Sequence, residues 1–75
     1  MNYKDFIERN PAILVGKPII KGTRISVELI LQKMSEGATI ADLLRAYPHL
    51  TEQQIYAVLA YSAHLISNDS LLETA

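Results

Sequence analysis

The chain has no cysteine, so neither a disulfide framework nor a thiolate metal site is open to it. No apolar run approaches the ~20 residues a membrane-spanning helix needs. The opening residues, MNYKDFIERNP, carry acids and lack a long apolar stretch, unlike a secretory leader. We therefore expect a cytoplasmic protein with no membrane association. Chemistry-bearing constellations are scarce as well. His49 and His64 stand alone, with no acid at the spacing of a metal ligand or a general base. The segment around Gly16 to Lys21 lacks the spacing and the Lys-Ser/Thr ending of a phosphate-binding loop. Hydroxyls at Ser26, Thr39 and Thr51 stand where helix caps are needed and are better used there than as nucleophiles. The expectation is no enzymatic activity, no metal, no cofactor and no small-molecule substrate.

Glycine and proline are few, three of each, yet Gly16, Pro18 and Gly22 crowd together with Lys17, Lys21 and Arg24 directly before the first helical pattern. What is abundant is apolar: 49% of 75 residues. That supports a packed fold and argues against general disorder. A chain of this length forms a single domain, here 1–75, and buries only about 60% of its unfolded surface. Without disulfides or metals, pairing with a second copy is the remaining common way to bury more. A homodimer is expected.

The net charge of −1 conceals an asymmetry. Residues 1–24 hold Lys4, Arg9, Lys17, Lys21 and Arg24 against Asp5 and Glu8, a balance of +3. Residues 25–75 hold Lys33 and Arg45 against Glu28, Glu36, Asp42, Glu52, Asp69 and Glu73, a balance of −4. A basic front end on an acidic body bears on partners more than on fold.

Residues 1–25 read as an N-terminal turn and a short β segment. Asn2 caps a helical turn over residues 3–9, with Tyr3, Phe6 and Ile7 on one face, and Asn10-Pro11 ends it. From Pro11 to Ser26, short β-favouring runs (AILV, PII, RIS) alternate with Gly-Lys-Pro and Lys-Gly-Thr, which predicts two or three brief extended pieces joined by tight turns. Residues 26–67 read as a three-helix bundle. The first helix starts at the cap Ser26, presents Val27, Ile30, Leu31 and Met34 on one face, and stops at Gly37. The second has Thr39 and Asp42 as a capping box, a stripe of Ile40, Leu43, Leu44 and Tyr47, and Pro48 as its end. The third is capped by Thr51 with Gln54 and runs to about Ser67. Its stripe is Ile55, Val58, Leu59 and Ser62, widened by Ala57, Ala60, Ala63, Leu65 and Ile66. Residues 68–75 read as a frayed tail.

The second and third helices, with YPHL between them, form a helix-turn-helix pattern. It is open to two readings: the corner of a plain bundle, or a DNA-binding unit. The third helix has no Lys or Arg and begins with Glu52, whereas phosphate contacts need cations and the commonest base contact uses Arg. Gln53, Gln54 and Tyr56 are its candidates for base edges. Lys17, Lys21 and Arg24 are the candidates for phosphates. As solvated strand-edge lysines, Lys17 and Lys21 would instead guard against edge pairing. Arg24 also suits a carboxylate of a protein partner or a structural ion pair. Tyr61 suits a partner interface, or simply core filling.

Taken together, GKPIIKGTRISV, the EG before a Thr-capped helix, YPHLT, and a third helix containing AYSA resemble, over residues 16–63, the bacterial and archaeal family catalogued as domain of unknown function 433. The resemblance implies a mostly α, homeodomain-like three-helix fold with a helix-turn-helix, preceded by short strands. It also implies an antitoxin of the VapB type, partnered by a PIN-like nuclease toxin and binding DNA at its own promoter. With only a short tail after the third helix, partner contact is expected from the folded body or the N-terminal edge. The resulting expectation is a small DNA-binding regulator of antitoxin type. Its alternatives are a protein-interaction module that neutralises a partner without touching DNA, and a helical domain of uncharacterised role.

Overall fold

The computed structural model describes residues 2–69, the side chains of residues 68 and 69 excepted. The expected frayed tail therefore lies outside the described side chains. Two short antiparallel strands, β1 (Ile7–Arg9) and β2 (Pro18–Ile20), precede three helices: α1 (Val27–Ser35), α2 (Ile40–Ala46) and α3 (Glu52–Asp69). The mostly helical fold with a short β segment in front is the architecture expected. The last helix is longer than predicted.

The N-terminal segment departs from the sequence reading. Asn2 does cap a turn, its Oδ1 accepting from the Lys4 amide at 3.2 Å, but the turn is a single 3-10 piece, Tyr3–Asp5. Residues 7–9 then extend, because they pair with β2 in the register Ile7↔Ile20, Glu8↔Ile19 and Arg9↔Pro18. That register puts Ile7 opposite the fully buried Ile20 and carries both into the core. Helical periodicity over so short a stretch lost to cross-strand pairing.

The run AILV is the second departure. It forms a 3-10 turn over Leu14–Gly16, with positive φ at Leu14 (50°) and Val15 (57°), followed by Gly16 at 78°. Left-handed backbone is unfavourable for a β-branched residue and costs of order 1–3 kcal/mol. The same turn leaves Val15 94% exposed. Of the predicted extended pieces, only PII is a strand; RIS contributes an isolated bridge, Ile19↔Ser26.

Between β2 and α1 the chain reverses tightly. The Thr23 amide donates to the Ile20 carbonyl at 3.0 Å, and Gly22 takes a φ of +81° at the third turn position. Thr23 Oγ1 donates to the Ile20 carbonyl and accepts from the Ile25 amide. Lys21 stands at the turn's tip and Arg24 at its exit, both exposed.

Helix punctuation follows the sequence closely. Ser26 Oγ accepts from the Leu29 amide at 2.9 Å. At the C-terminus of α1, Gly37 and Ala38 return amide bonds to Met34 and Lys33, with Gly37 at φ +106°. That is the Schellman arrangement, in which glycine carries the left-handed step. Thr39 and Asp42 exchange reciprocal side-chain-to-backbone bonds, as do Thr51 and Gln54. Replacing Thr51 with Ala is expected to cost about 1 kcal/mol, read as a lower urea midpoint with an unchanged m-value.

Asp42 also receives Arg45 in an ion pair. The backbone and hydroxyl bonds from Thr39, and then the Arg45 charge, hold the Asp42 carboxyl below its ordinary value. A carboxylate whose pKa falls on folding stabilises the native state above its unfolded pKa, about 3.9, and loses that contribution as pH falls through the folded value. Asp42→Asn should therefore flatten the acid side of the stability–pH profile and leave its neutral region parallel to the wild-type curve.

The core gathers Ile7, Ile20, Val27, Ile30, Leu43 and Leu50 around the inner face of α3, where Ile55, Ala57 and Val58 are fully buried. Tyr3, Phe6, Leu31, Met34 and Tyr61 pack around this cluster. Leu59, expected in the stripe, is 37% exposed instead, and Ala57, expected at its margin, is fully buried. The buried face of α3 is rotated toward the N-terminal turn because Tyr3 lies on that side. Its ring meets Tyr61 edge-on at 5.4 Å and His64 at 5.7 Å.

Candidate interaction surface

Two grooves adjoin on the outer side of α1. The larger, about 630 Å³, runs between α1 and the C-terminal half of α3. Pro18, Val27, Leu31, Tyr61, Leu65 and Ile66 give it apolar walls. Leu65 is 41% and Ile66 68% exposed, so this groove is an apolar surface open to solvent. The second, about 530 Å³, is bordered by Leu14, Val15, Arg24 and Leu29. Lys17, Glu28 and Gln32 border both grooves and so lie between them.

Lys17 Nζ donates to Glu28 Oε1 at 2.9 Å, with both side chains more than half exposed. In so much water such a pair contributes about 0–1 kcal/mol. It neutralises the middle of the surface more than it stabilises the fold.

The predicted functional residues divide between separate places. Lys17 and Arg24 border the second groove, while Lys21 lies at the turn tip and lines neither groove. Arg24 and Lys21 form no ion pair among the described residues. Gln53 and Tyr56 project from the first half of α3 and line neither groove. Gln54 is held differently: its Oε1 accepts from the Thr51 amide at 2.8 Å, so its side chain serves the helix cap. Tyr61 is half-buried; its hydroxyl accepts from Arg9 Nη2 at 3.1 Å, and Arg9 Nη1 also reaches the Gly16 carbonyl. This bond ties β1 to α3, and the same ring forms part of the larger groove's wall.

The outward face of α3 carries Glu52, Gln53, Tyr56, Leu59 and Ala63, with Tyr56 44% exposed. It has no cation. Among the described residues no group of three His, Asp or Glu side chains comes together to hold a metal ion. No helix among them is long and apolar enough to cross a membrane.

Sequence reasoning missed three contributors to this surface. Leu65 and Ile66 read as core-widening residues, since periodicity marks a face without saying whether anything covers it. Val15 read as extended, and no local signal in AILV foretells its positive φ.

The model of the family described as protein of unknown function (DUF433) matches residues 7–62. The chain belongs to this family. The matched span runs from β1 through the first two-thirds of α3 and includes the residues of the basic turn and most of both grooves. A crystal structure of a DUF433 member from Anabaena variabilis superimposes with a TM-score of 0.75 at 31% identity, covering 77% of this chain and 57% of that one. The uncharacterized protein y4eO of Sinorhizobium fredii is 27% identical over 59 residues, 79% of this chain. The present chain spans only 27% of that relative's length.

Proposed function

We propose that this DUF433 domain is a small regulator of antitoxin type that acts by holding a protein partner, and that α3 is a protein-binding helix. The observation that carries this reading is the outward face of α3, where Tyr56, Leu59 and Ala63 stand exposed without a cation. A helix lying against DNA needs positive charge for the phosphates around it. A solvent-facing tyrosine beside aliphatic residues suits a protein interface, where tyrosine is enriched and charge is depleted at the centre. The partner class follows from the resemblance drawn above, a PIN-like nuclease. Arg24, exposed and free of ion pairs among the described residues, supplies a bidentate donor for an acidic rim of such a partner.

DNA binding remains the second reading because Lys21 and Arg24 point a basic turn into solvent. It requires the cations to release counterions from phosphates. Affinity for duplex DNA would then fall linearly with salt on logarithmic axes, and each lost contact would reduce the slope by about one. The experiment pairs that titration with inhibition of the nuclease-like protein encoded beside this chain, where there is one. We expect Lys17→Ala, Lys21→Ala together to leave inhibition intact and the salt slope unchanged. A slope lowered by about two, with no inhibition of any such neighbour, would replace the partner reading with the DNA reading.

A further inference from the structure

The surface over α1 carries a projection, a recess and a charge pair between them. The projection is the Leu14–Val15 turn, whose left-handed backbone holds an aliphatic side chain 94% exposed. The recess is the larger groove, apolar in its walls and about 630 Å³ in volume, more than a valine needs. Lys17 and Glu28 lie between the two and border both.

We infer that a second copy of this chain covers this surface, related by a two-fold axis passing near Lys17 and Glu28, so that each copy's Val15 seats in the other's larger groove. A two-fold interface must be self-complementary, with residue i meeting j and j meeting i. Projection and recess on either side of one point meet that condition. The charges meet it too. A Lys-Glu pair beside the axis faces its own image in reverse, so Lys17 of each copy lies against Glu28 of the other. A partner of one net sign would find no such match on a neutral pair. The single domain also gains from covering this surface, because its own core is small and Leu65 and Ile66 otherwise face water. This goes beyond the partner reading, which centres on Tyr56 in the first half of α3, away from the groove walled by Leu65 and Ile66, and its readout, the oligomeric state, is separate from partner affinity.

Light scattering at micromolar concentration tests it. The full chain should report about twice its 8.4 kDa. Val15→Asn keeps a residue that tolerates positive φ and removes the apolar projection; Ile66→Glu places a charge in the recess. Both should report the monomer mass with unchanged helical circular dichroism, since both side chains project into solvent. Lys17→Glu and Glu28→Lys should each weaken self-association at least tenfold by setting like charges face to face, and an equimolar mixture of the two should restore it. An ion pair confined within one chain would stay repulsive in both variants and gain nothing from mixing. A monomeric wild type, a dimer surviving in either Val15→Asn or Ile66→Glu, or a mixture that fails to associate would overturn the inference. Should an apolar variant lose its fold, the mixing experiment decides alone.

Discussion

Ile30→Ala is expected to remove much of the domain's stability. Ile30 is fully buried on α1 and belongs to the cluster that joins the strands, α2 and α3. Cutting isoleucine to alanine at such a site costs about 2–5 kcal/mol, the transfer term plus a cavity the surroundings fill only in part. A chain of this length has roughly 4–11 kcal/mol in total, scaling from typical values per residue. At the upper end of the cost and the lower end of the stability, the variant is unfolded at room temperature. Urea denaturation followed by circular dichroism reads the effect. Leu59→Ala, on a residue 37% exposed, is the control and should lose well under half as much. Equal losses at the two positions would mean that α3 packs with a different face inward.

Tyr56→Ala should separate the two functional readings by the size of its effect. If the outward face of α3 holds a protein partner, this tyrosine is its largest apolar anchor, and anchors of this type carry about 2 kcal/mol or more when truncated. That corresponds to about a 30-fold loss of partner affinity. Stability should move by no more than about 0.5 kcal/mol, as for other exposed positions away from caps and core. Titration of the nuclease partner by calorimetry gives the affinity, and the urea midpoint gives the stability. Full partner affinity in a folded Tyr56→Ala variant, with DNA affinity reduced, would move this face from protein to nucleic acid.

The punctuation of the helices was legible because capping is local. Ser26, Thr39 with Asp42, and Thr51 with Gln54 satisfy amides within three residues of themselves. Gly37 supplies its left-handed step wherever the rest of the chain goes. Family membership was legible for a related reason: the order of turns and caps along residues 16–63 is itself a linear pattern. The N-terminal segment was not legible. Its residues 7–9 show a helical face when read alone, and only pairing with Pro18–Ile20 draws them into a strand.

The candidate surface shows the same division. Charges, caps and apolar faces could be assigned to positions, but not to neighbours. Gln54 and Tyr61 looked available for contacts, yet one closes a helix cap and the other accepts a hydrogen bond from Arg9, far away in sequence. Leu65 and Ile66 looked like core and instead edge an open groove beside α1, where they remain exposed. By itself, then, the sequence determined how the three helices are capped and which family the chain belongs to, both consequences of interactions and patterns among residues a few positions apart. Tertiary structure alone decided which apolar residues remain in water, and that Lys17 meets Glu28 between two grooves, because burial and charge pairing depend on distances through space that chain order does not contain.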